Sequence, residues 1–241
     1  MTMQRRIACV DCAVRQSALC QVLSSEQLSK LNRHSHHKRY PVGQVIAGMS
    51  AGEDWCATIV SGVIKLSNAL PDGRQQIVGL LFPADFLGRP FKATSTYAAE
   101  AATDVELCCF SRRYFEQLLA EEPDLKQLFL ERTLDQVDAA REWMLLLGCK
   151  TASEKVAALL LMIARRLEPA ACAACSTQAS HNVELPLSRS EMAEYLGLRL
   201  ETVSRQLNRL EAAGTIKRFD RRGIVIRDMR GLEKSSGELP V

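Results

Sequence analysis

Between about residue 40 and residue 110, apolar positions come in short or alternating runs separated by turn residues: VGQVIA, CATIVSGVIKLSNAL, RQQIVGLLF, PADF and VELCCF. Strands of this kind with a turn about every eight to twelve residues predict a small antiparallel barrel or roll. The clearest hairpin runs from Val63 to Leu81 and folds at Pro71-Asp72-Gly73, where Pro presets φ and Gly accepts a positive φ. After Phe110 the period changes. Asp124 to Gly148 holds no internal Gly or Pro, and Leu130, Leu134, Val137 and Met144 recur at heptad-compatible spacing, with Ala140 and Arg141 between them. This predicts a long amphipathic helix whose seam suits pairing with a second copy of itself. The competing reading packs the same stripe on the chain's own β-roll. A second helix is predicted from Thr151 to Arg166, and EPAACAACSTQASHN then reads as a surface linker.

Beyond the linker, Ser188-Arg189-Ser190-Glu191 has the capping-box pattern, which starts a helix with Met192, Ala193 and Leu196 inward and Gly197 at its end. A further helix is predicted from about Leu200 to Ala213, with Val203, Leu207 and Leu210 on its buried face. Helix, glycine turn, helix is the arrangement whose second helix enters the DNA major groove. On the other face Glu201, Ser204 and Arg205 stand at i, i+3 and i+4. Arg offers paired donors to guanine, Glu accepts from cytosine N4, and Ser serves either. Thr202, Arg209, Ser188 and Arg189 complete the expected DNA-facing set. The following GTIKRFDRRGIVIRD reads as a two-stranded wing, with Lys217, Arg218, Arg221 and Arg222 available to phosphates. The α+β chain thus divides into an N-terminal segment (1–28), a β-roll (29–124), a dimerisation helix (125–149), a winged helix-turn-helix (150–230) and a tail (231–241).

Composition alters this picture little, but charge distribution does. With 241 residues, 47% hydrophobic and 24% charged, the chain is an ordinary globular protein of one or two domains. Its net charge of +3 implies no polyanionic partner by itself, yet residues 199 to 230 hold nine Arg or Lys against four acids. Such a basic module is the electrostatic footprint of a nucleic-acid binder. The longest apolar run, Val156 to Ala164, falls far short of the roughly 18 residues of a membrane-spanning helix. MTMQRRIACVDC carries no apolar signal core, so a cytoplasmic location with no membrane partner is expected. An enzyme is not expected: no Gly-rich phosphate loop, nucleophile elbow or His-Glu-x-x-His element is present.

Nine cysteines in a chain without an export signal point to metal, cluster or redox roles rather than disulfides. Cys9, Cys12 and Cys20 form Cys-x2-Cys-x7-Cys on a short polar segment, one thiolate short of the usual four ligands of a metal or iron-sulfur site. In VELCCF, alternation puts Val105, Leu107 and Cys109 on one face and Glu106, Cys108 and Phe110 on the other, which makes Cys108 the candidate fourth ligand. Zinc or a thiol switch remains open, with Cys172 and Cys175 a second close pair in the linker. Haem on His34, His36 or His37 is the weaker reading, because HSHHKR reads as a solvated charge stretch. Cys56 and Cys149 read as apolar-site thiols. A buried cyclic phosphate calls for a charge-assisted Arg partner, and PADFLGRPFKATSTYAAEAATD offers no Arg beside Ser or Thr, so no cyclic nucleotide is expected.

LSRSEMAEYLGLRLETVSRQLNRLEAAGTIK resembles the DNA-binding motif of the cyclic-AMP receptor/FNR family of bacterial transcription regulators, and ETVSR resembles its FNR branch. The resemblance runs from roughly Leu23 to Asp228. One departure is Arg199, which stands at the second helix's N-cap where Ser or Thr is common in the family. The resemblance implies a homodimer on double-stranded DNA at a site like TTGAT, four bases, ATCAA. It further implies a four-iron four-sulfur cluster on Cys9, Cys12, Cys20 and Cys108 that oxygen dismantles. RNA polymerase is the implied partner, with 68–75 and 83–88 as candidate contact loops. A cluster-free FixK-like regulator and a zinc or thiol regulator are the alternatives.

Overall fold

The computed structural model describes residues 9–48, 54–69, 71–92, 94–167 and 181–237, in two compact units that divide at Asp138 and Ala139. In the first unit, short 3-10 turns at Cys9–Asp11 and Leu19–Val22 precede helix α1 (Ser25–His34). Eight strands follow: β1 (Ser35–Tyr40), β2 (Val45–Ala47), β3 (Trp55–Ser61), β4 (Ile64–Ala69), β5 (Gln75–Leu81), β6 (Phe86–Leu87), β7 (Ala98–Ala101) and β8 (Val105–Ser111). They form two antiparallel four-stranded sheets, β1-β8-β3-β6 and β2-β7-β4-β5. Period-2 alternation turns Ala57, Ile59, Ile64, Leu81, Ala99, Ala101, Val105, Leu107 and Cys109 into one shared core.

The β4–β5 hairpin has the expected turn, with Asp72 Oδ1 accepting from the Arg74 amide at 3.0 Å and Ala69 opposite Gln75. Between β3 and β4, Gly62 holds φ at +83°, and a Cβ there would lie 2.1 Å from the Asp104 carbonyl oxygen. Forcing a side chain into left-handed backbone costs about 1–3 kcal/mol before that clash is counted. Gly62→Ala is therefore expected to lower the thermal unfolding midpoint of the β-roll, which circular dichroism would record.

HSHHKR is not a solvated stretch. From Ser35 onward it belongs to β1, an edge strand paired with β8, with His37 opposite Cys108 and Arg39 opposite Glu106. Its polar side chains are partnered: Glu106 accepts from Arg39 Nε at 3.0 Å and lies 2.9 Å from His37 Nδ1. Lys38 stands over the Trp55 ring at 5.5 Å.

The outer face of the β1-β8-β3-β6 sheet carries a second apolar cluster. Cys56 and Phe110 on the strands meet Leu19 and Leu23, Leu28 and Leu31 of α1, and Phe115, Leu118 and Leu119 of α2 (Arg112–Glu121). Leu125, Leu128 and Phe129, from the start of α3 (Pro123–Cys149), close it. Thereafter every residue of α3 from 131 to 142 is exposed, including Leu134 at 55% and Val137 at 40%. Leu130 and Met144 are likewise exposed, as are Ala140 and Arg141.

In the second unit α4 (Ala152–Leu167) is buried along Val156 to Leu161. Around it lie β9 (His181–Glu184), α5 (Arg189–Leu196), α6 (Leu200–Ala212), β10 (Ile216–Arg218), β11 (Gly223–Ile226) and α7 (Met229–Ser236). The wing is three-stranded, β10-β11-β9, rather than two-stranded, because HNVE, whose first two residues end the expected linker, adds a strand. The expected tail begins as helix α7, capped by the Asp228 side chain on the Gly231 amide. Near the end of α3, Trp143 stacks on Tyr195 of α5 at 3.9 Å between ring centroids. Among the described residues no helix is long and apolar enough to cross a membrane.

Candidate functional site

The helix-turn-helix is built by local chemistry. The Ser188 hydroxyl accepts from the Glu191 amide at 3.3 Å, and the Glu191 carboxylate accepts from the Ser188 amide at 2.8 Å, so both halves of the capping box form. Gly197 ends α5 in the left-handed region at φ +61°, which lets the chain turn within three residues into α6. Arg199 is extended at the N-cap of α6 and supplies no side-chain cap. Val203, Gln206, Leu207 and Leu210 are buried beneath it. Glu201, Arg205 and Arg209 are exposed above, and Thr202 and Ser204 are half-buried at its flank.

Asn208 is exposed on the same stripe, seven residues beyond Glu201. It lies outside the expected DNA-facing set, although continuing the helical period beyond i+4 reaches it. Arg189 is half-buried at the first position of α5, and Ser188 is engaged as a cap.

Two expected phosphate contacts need correction. Arg218 is clamped to Glu211 through its backbone amide, Nε and Nη2, and Arg222 reaches the Pro186 carbonyl at 3.3 Å and the Glu191 carboxylate at 3.8 Å. Both arginines tie the wing to the helices. Lys217 and Arg221 are exposed, as is Arg205, and none of the three makes an ion pair among the described residues.

The four candidate ligand thiols lie in the first unit. Cys9, Cys12, Cys20 and Cys108 are all half-buried, whereas Cys56 and Cys109 are fully buried. Cys149 is exposed at the end of α3, contrary to the apolar setting expected for it. Cys172 and Cys175 lie outside the described residues.

Burial pushes the Cys108 thiol up to about 12; the Ser35 hydroxyl, as a hydrogen-bond partner, opposes that rise, while Cys9, Cys12 and Cys109 add to it. Burial pushes Cys20 up to about 11, with Cys12 and Cys9 acting in the same sense. Cys9 is raised by burial and by Cys12. Cys9 and Cys20 pack on the outer-face cluster of the sheet that also bears Cys108. Among the described residues, however, no three His, Cys, Asp or Glu side chains are drawn together closely enough to hold a metal ion. The donor chemistry of the four thiols fits a thiophilic metal or cluster. Thiols give up their protons as they take a metal, so uptake at such a set releases protons.

Residues 37–122 match the model of the cyclic nucleotide-binding domain, and 154–235 match the Crp-like helix-turn-helix domain. The chain is 46% identical to a "Probable transcriptional activator" of Rhizobium leguminosarum bv. viciae, over 95% of this chain and 92% of that one. The chain belongs to the Crp/FNR family of transcription regulators. It is 44% identical to the transcriptional activator protein FnrL of Cereibacter sphaeroides, over 97% of this chain and 95% of that one. Among solved structures it is similar to FixK2 from Bradyrhizobium japonicum, with a TM-score of 0.75 and 29% identity over 86% of this chain and 98% of that one. The fold is that of the family: an N-terminal β-roll, helices and a C-terminal helix-turn-helix. Crp/FNR proteins regulate transcription and are not enzymes.

Proposed function

We propose that this Crp/FNR regulator is an oxygen-responsive transcription activator that binds a two-fold DNA site as a homodimer, with Cys9, Cys12, Cys20 and Cys108 as the ligands of a four-iron four-sulfur cluster. The observation that carries the reading is the half-burial of these four thiols, with Cys9 and Cys20 packed on the outer-face cluster of the sheet whose strand β8 bears Cys108. When bound, the cluster supplies an oxygen-labile tie among four thiolates. Cys9, Cys12 and Cys20 then hold the N-terminal segment to β8 through Cys108. That segment packs against the start of α3, where Leu19 and Leu23 share a cluster with Leu125, Leu128 and Phe129. Arg132 of α3 also donates to the Ser17 carbonyl at 3.4 Å. A shift of the segment is thereby felt at the helix that bears the Leu130, Leu134, Val137 and Met144 seam.

In the homodimer this seam, with Ala140 and Arg141 on the same exposed stretch, pairs with its copy. Glu201, Ser204 and Arg205 read base edges, with Thr202, Arg209, Ser188, Arg189 and Arg221 on the backbone. The loops 68–75, exposed over 71–75, and 83–88, half-buried over 83–86, are the surfaces offered to RNA polymerase. No cyclic nucleotide is required. A cluster-free, FixK-like regulator is the second reading, favoured by the absence of a closed three-ligand group among the described residues.

Anaerobic purification separates the two, because about four irons per chain are expected for a Cys-ligated cubane and colourless, iron-free protein would leave only the second reading. A coupling of about 1–3 kcal/mol between the thiol site and the DNA-binding surface changes affinity roughly 5- to 150-fold. Air is therefore expected to shift the dimer toward monomer and weaken DNA binding within that range. Sedimentation before and after air exposure checks this. An unchanged dimer mass alongside lost DNA binding would remove dissociation as the mechanism.

A further inference from the structure

Helix α1 and the first 3-10 turn pack against each other, and one polar contact joins them: the Cys9 thiol donates to Asn32 Oδ1 at 3.7 Å. Asn32 lies in the last turn of α1 and is half-buried, and its own carbonyl accepts from the Ser35 hydroxyl at 3.5 Å. Ser35 is 7% exposed and opens β1, two residues before His37, which stands opposite Cys108. The α1–β1 junction thus touches Cys9 through Asn32, and the strand it opens pairs with the strand that bears Cys108.

A primary amide suits this place for a chemical reason. The side-chain amide carries both an acceptor, Oδ1, and a donor, Nδ2, either of which can hydrogen-bond a sulfur. We propose that Asn32 is a positioning residue for Cys9: its side-chain amide, 3.7 Å from the Cys9 sulfur where α1 packs on the first 3-10 turn, fixes where that sulfur stands for the ligand set. This rests on the cluster reading above and adds to it a partner outside the four cysteines.

Asn32→Asp separates this role from packing, because it keeps the size and the acceptor but removes the donor and sets a carboxylate against a thiolate. Asn32→Ala removes both without adding charge. Full-length protein and the two variants would be reconstituted anaerobically with ferrous iron and sulfide, and iron retention titrated against a chelator. Partners that orient metal ligands are typically worth about 10- to 100-fold in metal affinity. Asn32→Asp is expected to lose affinity in that range and more than Asn32→Ala, while both metal-free variants unfold at the wild-type temperature. Wild-type affinity in Asn32→Asp, or equal losses in both variants together with a lowered unfolding temperature, would overturn the proposal. Wild-type protein that takes up no iron would instead sink the cluster reading, and this inference with it.

Discussion

Anaerobically prepared Cys108→Ser protein is expected to be colourless and to lose essentially all of about four irons per chain, whereas Cys109→Ser keeps them. The two residues are adjacent in β8 but point to opposite faces. Cys109 sits in the core between the two sheets at 0% exposure, packed with Val105 and Leu107. Cys108 lies on the outer face beside Ser35, with Thr58 of β3 and His37 of β1 as its cross-strand neighbours. A serine oxygen does not replace the soft thiolate at Cys108. At Cys109 the same change places a hydroxyl among apolar side chains and costs stability, about 1–3 kcal/mol, without touching iron. Cys9→Ser and Cys12→Ser, like Cys20→Ser, are expected to follow Cys108→Ser. Iron analysis together with thermal unfolding tells the two kinds of loss apart. Iron retained by Cys108→Ser would remove it from the ligand set.

At the DNA surface, Arg205→Ala is expected to weaken binding by about 1–3 kcal/mol and to relax preference at the half-site guanine. Arg205 stands on the exposed face of α6 between Glu201 and Asn208, with Val203 and Leu207 anchoring the helix beneath. Its guanidinium can present two donors to guanine O6 and N7. Arg221→Ala, in the exposed turn of the wing, is expected to weaken all sequences evenly and to lower the salt slope by about one. Competition between sites differing only at that guanine is the deciding assay. Discrimination unchanged in Arg205→Ala would refute the assigned role. Arg218→Ala belongs to a different class, because Arg218 holds Glu211 within the domain and its loss acts through the wing.

How much of this was legible in the sequence depended on whether the signal was local. Ser188 and Glu191 cap a helix from three residues apart, Gly197 ends it, and Pro71-Asp72-Gly73 turns a hairpin, so each element was readable on its own. Strand β1 was not. Its residues are polar because their partners come from elsewhere: Glu106 for His37 and Arg39, Trp55 for Lys38. Strand β9 depends equally on β11, and four residues of HNVE carry no period of their own.

The wing arginines failed for the opposite reason. Composition marked four cations, but only the fold tells Arg218 and Arg222, spent on Glu211, Glu191 and Pro186, from Lys217 and Arg221. The alternation in VELCCF did separate Cys109 from Cys108 correctly. It understated how apolar the other face is, since Phe110 is buried there under α1 and α2.

The Trp143–Tyr195 stack has a practical side. The chain has two tryptophans, and the division at Asp138 and Ala139 leaves one in each unit: Trp55 in the β-roll beneath Lys38, Trp143 against the helix-turn-helix. Each half of the molecule thus carries its own indole emitter. The spectrum of a protein lacking Trp143 reports the sensor half alone, and that of one lacking Trp55 reports the reading head. Whether a signal at the thiols arrives at the DNA-binding half can be followed as light, without a label and without DNA.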